Sequence, residues 1–365
     1  MSKFTEKQLV PVSETVDILW TLIEACHEML RLFQEEQCAQ AVGIAIDMRT
    51  LLEQMQGDVD ENGNDKVEST LWKMYGNCLY SLGRILKHAI TDVDFSVKRT
   101  EFEMLPLLRA TLIYARYNMD IKKIGKEAVQ KWIEGEAYEL TKNHYYEEGK
   151  SKRKWKYDLS ISVTGFNKLE YTKKCVDSII KNLPKDISYE LILYNHGSSD
   201  GTKEFFESIY PDKQIDILYN GYAGLTPTFV SEGEILLGIS NDVIITPNSI
   251  DIMYKTIKSD SKIGFLVPMT GGVSNLQTPK ANGLKFEYQT DAELSNVAEA
   301  YNSDDSKLAE TRFRLVNPLS IIRREVLHRH LLYGIIWNAT VAFPDDRVSM
   351  LCRRMGYKNV FLKNV

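Results

Sequence analysis

The sequence predicts an α/β domain that is built on a mainly parallel sheet and preceded by an all-helical domain. From residue 157 to residue 365, short apolar runs that end in Gly, Asn or Asp alternate with segments whose apolar residues recur at helical spacing. This alternation is typical of β-α-β units. Before residue 150 the apolar residues recur at helical spacing over longer segments. The expected domains are therefore residues 1–150 and residues 157–365.

The first domain is expected to be a small helical bundle. Its first helix opens at Ser13-Glu14-Thr15, and further helices are predicted over residues 36–56, 67–90, 98–118 and 121–147. Nothing in this domain has the pattern of a catalytic site, so we expect it to pack on the second domain, form a homo-oligomer or bind a partner. The first helix carries an apolar stripe made of Ile18, Leu22, Cys26, Met29 and Phe33.

Composition narrows the class of protein and its expected location. The net charge of −5 argues against a nucleic-acid partner. Five widely spaced cysteines without a C-x-x-C pair indicate reduced thiols and a cytoplasmic protein. We expect no signal peptide and no transmembrane segment. The basic residues 150–156 favour a solvated interdomain segment, and peripheral contact with acidic lipids at the inner face of the membrane is the open alternative.

The first β-α-β unit predicts a ligand site. A strand over residues 159–164 ends at Gly165-Phe166-Asn167, and a second strand over residues 189–194 ends at the polar loop 195–202. Parallel crossover places both loops at the carboxyl ends of their strands, where ligands bind in open α/β sheets. A dinucleotide-binding turn would need G-x-G-x-x-G, and the turn after the first strand has a single glycine, so that class of enzyme is disfavoured.

A third strand, over residues 234–239, ends in Ser240-Asn241-Asp242. Its continuous apolar run is typical of a buried central parallel strand. Thr246 is expected to cap the next helix, with Pro247 in its first turn. Asp242 is either a ligand for a divalent cation or a residue that caps a turn.

The last pattern is an acidic pair at the start of a helix. Asp345 and Asp346 follow Pro344, and the helix leads into an R-x-x-G-Y sequence that ends at Tyr357. A carboxylate here could accept a proton from a hydroxyl group, or could serve only as a first-turn acid that the helix dipole favours. Strands are expected over residues 312–316 and 319–322, and Trp337 could stack on a sugar ring or belong to the core.

Together these motifs resemble the family 2 glycosyltransferases, which have the GT-A fold, a Rossmann-like fold for nucleotide-diphospho-sugar transferases. The resemblance covers about residues 157–365 and rests on the aromatic-Asn pair, the G-S-x-D-G-T loop, the acid of Ser240-Asn241-Asp242 and the acidic pair before R-x-x-G-Y. The family usually has two acids where this chain has Asn195-His196. It implies a nucleotide-sugar site lined by Thr164, Gly165, Phe166, Asn167, Asn195, His196, Gly197, Ser198, Asp200 and Asn241.

The resemblance also implies an activity. The expected reaction is inverting transfer of a sugar from a nucleotide-sugar donor, with UDP-sugar favoured, to a saccharide or lipid-linked acceptor. Asp242 would hold Mn²⁺ or Mg²⁺, and Asp345, or else Asp346, would be the catalytic base. Family members often continue with a His-containing segment, and the resemblance therefore implies either a chain truncated after Val365 or an altered site. The alternative is a non-catalytic GT-A-like module that binds a nucleotide or a glycan.

Overall fold

The computed structural model describes residues 12–59, 61, 65–141, 155–219, 226–271, 276–303, 308–336 and 344–365. The chain divides into two compact units. One is helical and comprises the residues before 143 together with short segments around residues 217–219 and 332–336. The other contains the sheet. The predicted order, helices first and an α/β sheet second, is confirmed.

The first 141 residues contain seven α-helices in the described part of the chain. The first three predicted helices are confirmed, with ends that differ by one or two residues. The predicted helix over residues 98–118 is interrupted by the π-helical turn Thr100–Met104, and the predicted last helix is divided at Gly135, whose ψ of −103° is not helical. The helices are α1 (Glu14–Gln34), α2 (Cys38–Gly57), α3 (Lys66–His88), α4 (Val93–Arg99), α5 (Leu105–Arg116), α6 (Lys126–Glu134) and α7 (Glu136–Thr141).

One connection of the sheet region belongs to the helical unit. The backbone N–H groups of Leu218 and Tyr219 both donate to Oδ1 of the buried Asn77 on α3, at 3.0 and 2.8 Å. The ring of Tyr219 lies 5.4 Å from that of Trp72 and closely approaches Gly76, where an added Cβ would lie 2.6 Å from the ring. The chain just before residue 220 is therefore fixed on α3.

The second unit contains an eight-stranded mixed sheet in the order β3-β2-β1-β4-β7-β5-β8-β6. β1 pairs in parallel with β2 and with β4, while β7 and β6 run antiparallel to their neighbours. The strands are β1 (Tyr157–Gly165), β2 (Tyr189–Asn195), β3 (Lys213–Asp216), β4 (Gly233–Ser240), β5 (Ile263–Pro268), β6 (Ala309–Thr311), β7 (Leu319–Arg323) and β8 (Lys358–Leu362). This arrangement confirms the predicted α/β class with a mainly parallel central sheet.

The apolar side chains of the central strands are buried against the helices that cover the sheet. Leu159, Ile161 and Val163 of β1 are fully buried together with Ile235 and Leu237 of β4. Within the described residues, none of the helices is long and apolar enough to cross a bilayer. The helices after residue 157 are α8 (Leu169–Lys181), α9 (Thr202–Ile209), α10 (Thr226–Val230), α11 (Ser249–Ser259), α12 (Asp291–Tyr301), α13 (Arg324–Ile336) and α14 (Pro344–Arg354), and the end of α13 from residue 332 is counted with the helical unit.

Two sequence predictions about local structure are wrong. Residues 312–316 are not a strand. The edge strand β6 ends at Thr311, and beyond it the side chain of Asn359 donates to the carbonyl of Phe313 and the side chain of Ser349 accepts from Leu315 N. Thr246 is not the cap of α11, which begins at Ser249. The residue before that helix is Asn248 in a left-handed conformation (φ 61°). Pro247 thus precedes the helix within a turn.

Candidate functional site

The carboxyl ends of β1, β2 and β4 meet at one edge of the sheet. Gly165 lies opposite Asn195, and Thr164 lies opposite Ser240, because β1 is paired in parallel with both neighbours. The backbone continues these contacts beyond the strands, since His196 N donates to Gly165 O at 2.8 Å. The three predicted loops are therefore adjacent in space.

The turn after β1 is the most constrained part of this edge. Asn167 and Lys168 are both left-handed, with φ of 55° and 60°, which is unusual for two consecutive residues that are not glycine. Ser198 Oγ accepts from Asn167 N at 2.9 Å, and Ser199 N donates to Asn167 Oδ1 at 2.9 Å. Asn241 Nδ2 donates to the carbonyl of Asn167 at 2.9 Å. Both neighbouring loops thus hold the turn, and strained backbone persists only where its surroundings fix it in this way.

The loop after β2 is shaped by two glycines and one carboxylate. Gly197 and Gly201 have φ of 74° and 91°, a conformation that glycine adopts at no steric cost. Asp200 accepts from Leu169 N at 2.8 Å and from Thr202 N and Oγ1 at 3.2 and 2.6 Å. Burial acts to raise the pKa of Asp200, but these hydrogen bonds outweigh it and lower the pKa. Asp200 therefore joins the starts of α8 and α9.

Asn195 and His196 are buried beneath this loop. Only 2% of Asn195 and 3% of His196 is exposed. Asn195 Nδ2 donates to Oδ1 of Asp216 on β3 at 3.0 Å, and Asn195 Oδ1 accepts from Ser198 N at 3.0 Å. The His196 ring packs edge-on against Tyr194, with 4.3 Å between centroids. Both residues support the loop from below.

Asp216 is a residue of this region that the sequence analysis did not select. It is the last residue of β3, it lies opposite Asn195 in the parallel register, and it is fully buried. The sequence signal for Asp216 would have been a strand that ends in an acid, like the strand before Asp242. The sequence of β3, KQID, has too few apolar residues to predict a strand. Asp216 supplies a carboxylate beside the position where the resembling family has an acid.

Asn167→Ala is expected to destabilise the second unit by about 1–2 kcal/mol through the left-handed backbone and by about 1 kcal/mol through the lost hydrogen bond to Ser199 N. Asn167→Gly is the matched control, because glycine accepts the backbone conformation and loses only that hydrogen bond. Thermal melting of the two variants and the parent measures the difference. Equal melting temperatures for all three would show that the turn is not under strain.

Asp242 lies at the edge of a cavity of about 490 Å³ that also includes Phe286, Tyr288 and Tyr301. Its side chain is about half exposed (47%), and its Oδ2 lies 3.8 Å from Nζ of Lys168. Aromatic side chains with a few polar groups are the usual lining of a small-molecule site. The cavity is large enough for a sugar unit, with a carboxylate and an ammonium group at its edge.

A divalent cation at the end of β4 would have the carboxylate of Asp242 as its proposed ligand from the chain. Within the described residues, no three His, Cys, Asp or Glu side chains converge on one point. The side chain of the neighbouring Asn241 is already bonded to Asn167 and Thr172. Mg²⁺ in phosphate-binding sites is commonly bound by one or two carboxylates together with substrate phosphates and water. The exposed carboxylate of Asp242 fits that kind of site.

Asp345 and Asp346 occupy the first turn of α14. Burial raises the pKa of Asp345 and the charge of Asp346 adds to this effect, while backbone donors, including the N–H of Asn317, and the charge of Arg314 act in the opposite direction. Next to Asn317, the carbonyl of Pro318 accepts from Ser240 N at 2.8 Å. Asp345 therefore contacts the chain just before β7, at the sheet edge where β4 ends.

The two acidic positions do not line the same cavity as Asp242. Asp346 forms an ion pair with Arg314 and lines a separate groove on α14. Asp345 and Asp346 are absent from the lining of the Asp242 cavity in the described part of the chain. Trp337, which the sequence analysis considered as a sugar-stacking residue, lies outside the described residues, as do residues 150–154 of the basic block.

Comparison with known proteins identifies the family that this region matches. Residues 160–330 match the family model described as glycosyl transferase family 2, which confirms the resemblance predicted from the sequence. Asp345 and Asp346 lie beyond the matched residues. No curated protein sequence matches the chain.

Solved structures of glycosyltransferases resemble the chain at low identity. The structure of TarS 1-349 from S. aureus is 16% identical, with a TM-score of 0.41, and the match covers 57% of this chain and 58% of that one. Mannosyltransferase PcManGT from Pyrobaculum calidifontis, in complex with GDP-Man and Mn²⁺, is 16% identical with a TM-score of 0.38, covering 70% and 66%. TarS 1-349 in complex with UDP-GlcNAc is 15% identical with a TM-score of 0.38, covering 57% and 56%. Each match spans less than two thirds of the other chain.

Proposed function

Because residues 160–330 match the family 2 glycosyl transferase model, we propose that this chain transfers a sugar from a nucleotide-diphosphate sugar to a hydroxyl group of a saccharide or lipid-linked acceptor. The observation that carries the proposal is the hydrogen-bonded union of three loops at the carboxyl ends of β1, β2 and β4. Ligands of open α/β sheets bind at that edge.

In the proposed donor site, different residues contact and support the nucleotide. Phe166 is 47% exposed, and with the backbone of Gly197 and Ser198 it offers an apolar face and hydrogen-bonding groups to the base and ribose. Asn195 and Asp216 act beneath this surface as positioning residues, since their side chains bond each other and the loop. A UDP-sugar is the proposed donor, and because the amide of Asn195 is already bonded to Asp216 and Ser198, contacts to its base would come from the loop above Asn195.

Asp242 is the proposed residue that holds Mn²⁺ or Mg²⁺. When bound, the cation would neutralise charge that grows on the departing diphosphate. The ammonium group of Lys168 lies 3.8 Å from the Asp242 carboxylate and can donate a hydrogen bond to a phosphate oxygen. Lys168 belongs to the left-handed turn, so the conformation of that turn sets the position of its ammonium group beside Asp242.

Asp345 is the proposed general base of a single in-line displacement. Its carboxylate would accept the proton of the acceptor hydroxyl while that oxygen bonds to the anomeric carbon and the bond from that carbon to the diphosphate breaks. One displacement inverts the anomeric configuration. The raised pKa that burial gives Asp345 makes its carboxylate a stronger base than an ordinary aspartate.

The helical domain, proposed as residues 1–150 and followed by a catalytic domain over residues 157–365, has a separate proposed role. We assign it to homo-oligomerisation or partner binding, and we place the protein in the cytoplasm, with peripheral contact at the inner face of the membrane as an alternative. Light scattering of the purified chain tests the first point, because an oligomer has a multiple of the 41.9 kDa mass of one chain.

A thermal-shift panel of UDP, GDP and dTDP, with and without Mn²⁺, tests the proposed donor site. A ligand that binds only the folded state stabilises it by about 2.7 kcal/mol at a hundred times its Kd. We expect UDP with Mn²⁺ to raise the melting temperature more than UDP alone. A panel in which no nucleotide shifts the melting temperature would contradict the proposal.

A non-catalytic GT-A-like module is the second candidate function. The observations that favour it are the burial of Asn195 and His196 and the single acid in Ser240-Asn241-Asp242. Such a module would bind a nucleotide or glycan without turnover. Release of nucleoside diphosphate from a nucleotide-sugar distinguishes the two candidates.

Asp346→Asn is expected to have a small effect on transfer. The side chain of Asp346 is 41% exposed and pairs with Arg314 at the surface, where such pairs contribute about 0–1 kcal/mol of stability. Single-turnover assays beside Asp345→Asn, together with thermal melting, measure both effects. If Asp346→Asn abolishes transfer while Asp345→Asn remains active, the role of base belongs to Asp346.

A further inference from the structure

A second concave surface lies on α14, away from the cavity of Asp242. This groove has a volume of about 570 Å³ and is lined by Phe313, Arg314, Asp346, Ser349, Met350, Arg353 and Arg354. Three of these residues are arginines and one is an acid, so the groove is a net positive surface with an apolar wall. Neither the donor site nor the proposed base explains it.

The apolar wall is held in place by buried hydrogen bonds. Phe313 is 76% exposed, although aromatic side chains of this size usually bury most of their surface. Its carbonyl accepts from Nδ2 of the buried Asn359 at 3.1 Å. Two residues on, Leu315 N donates to Oγ of Ser349 at 3.1 Å. The backbone on both sides of Phe313 is therefore fixed while its ring faces solvent.

The arginines form the other side of the groove. The guanidinium of Arg353 lies 3.8 Å from the centre of the Phe313 ring. No carboxylate among the described residues lies within ion-pair distance of Arg353 or Arg354, whereas Arg314 pairs with Asp346. The helix dipole favours basic residues in a last turn, but it gives no reason for an exposed aromatic ring stacked beneath one of them.

We propose that this groove binds a phosphate group of the acceptor, with the acceptor's ring or carbon chain against Phe313 and Met350. Guanidinium groups recognise phosphate through paired hydrogen bonds. The inference rests on the proposed function for the identity of the ligand as acceptor, because Asp346 lines the groove and the adjacent Asp345 is the proposed base. The acceptor class is thus a phosphate-bearing saccharide.

An acidic membrane surface would use the same chemistry but a different shape. A lipid headgroup layer is broad, and proteins contact it with an amphipathic or polybasic surface that lies along the plane. The groove is concave, and its volume of about 570 Å³ is that of a site for a single small molecule. Shape therefore favours a discrete phosphate-bearing molecule over a bilayer.

Binding of glucose 6-phosphate to the full chain is measured by line broadening in phosphorus NMR spectra. Binding of D-glucose, which lacks the phosphate, is measured for comparison by saturation-transfer NMR. We expect the Kd for glucose 6-phosphate to rise at least about tenfold in Arg353→Gln/Arg354→Gln, because hydrogen bonds to two charged groups are lost. Arg31→Gln/Arg49→Gln is the matched control, since it removes two charges from exposed helix faces. Phe313→Ser tests the apolar wall without removing charge or a buried side chain.

Asp242→Asn should bind glucose 6-phosphate like the parent, because the groove is separate from the Asp242 cavity. The inference fails if the double arginine variant binds like the parent, if no chain binds glucose 6-phosphate, or if only phosphatidylglycerol vesicles bind. Nucleotide thermal shifts of the same proteins keep the two proposals apart. If UDP stabilises the parent but glucose 6-phosphate does not bind, the groove proposal is rejected and the donor-site proposal stands. If glucose 6-phosphate binds but UDP does not stabilise the parent, the donor-site proposal is rejected and phosphate binding by the groove stands.

Discussion

Asp345→Asn is expected to lower the rate of sugar transfer by about two to four orders of magnitude, the usual contribution of a positioned proton acceptor. The affinity for the nucleotide-sugar should change little, because Asp345 does not line the cavity of Asp242. Single-turnover assays with saturating acceptor measure the rate, and titration of the nucleotide measures the affinity. Activity equal to that of the parent would contradict the role of a carboxylate base here.

The loss of activity can be separated from a loss of stability. A carboxyl group whose pKa is raised in the folded state stabilises that state at low pH, and the contribution is lost as pH rises through the folded pKa. At neutral pH the ionised Asp345 is therefore unfavourable for folding, and asparagine removes that charge. Asp345→Asn should melt at the same temperature as the parent or above it at neutral pH.

The pH profile gives an independent measurement of the same residue. The rate of transfer should rise with pH as Asp345 loses its proton, and the midpoint should lie above the value of about 3.9 for an unperturbed aspartate. The sign follows from burial, which raises the pKa of Asp345. In Asp345→Asn the remaining rate should lose this acidic limb, whereas Asp346→Asn should keep it.

Asp242→Asn is expected to remove metal-dependent donor binding and leave the fold intact. The substitution is nearly isosteric but deletes the carboxylate that lies near Lys168 at the edge of the cavity. The exposed pair with Lys168 contributes only about 0–1 kcal/mol to stability. Electron paramagnetic resonance of free Mn²⁺, in the presence of UDP, measures metal binding without any turnover.

Asp291→Asn is the control for this experiment. Asp291 lines the same cavity and forms an ion pair with Lys174 at 2.9 Å. Asp291→Asn therefore removes one negative charge from the cavity, as Asp242→Asn does, but at a different position. We expect it to bind Mn²⁺ and UDP like the parent. If Asp242→Asn also binds both like the parent, Asp242 is not the metal ligand.

Much of the sheet could be predicted from the sequence because its central strands are short segments rich in apolar residues, alternating with polar ones in β1 and continuous in β4, that end in turn residues. Residues 159–164, 189–194 and 234–239 fall within β1, β2 and β4, and their loops lie side by side. A parallel crossover requires this neighbourhood. Local pattern was therefore enough to bring Asn167, Ser198 and Asn241 together.

Long-range contacts explain what the sequence did not predict. The amide of Asn195 can be buried because it donates a hydrogen bond to Asp216, 21 residues further along the chain. Residues 312–316 have a strand-like pattern, but the side chains of Asn359 and Ser349 bond to the carbonyl of Phe313 and to Leu315 N. The attachment of Leu218 to Asn77 joins positions 141 residues apart. Periodicity reports which face of an element is apolar and carries no information on such partners.

The most direct test of glycosyl transfer is release of nucleoside diphosphate from UDP-GlcNAc and GDP-mannose by the purified chain, with Mn²⁺ and with chelator. The proposal predicts slow, Mn²⁺-dependent release by water from one of the two donors, and no release in Asp242→Asn. Asp291→Asn should release it at the rate of the parent. Binding of a nucleotide-sugar without any release, in the parent and with Mn²⁺ present, would contradict transfer and leave the non-catalytic module as the function.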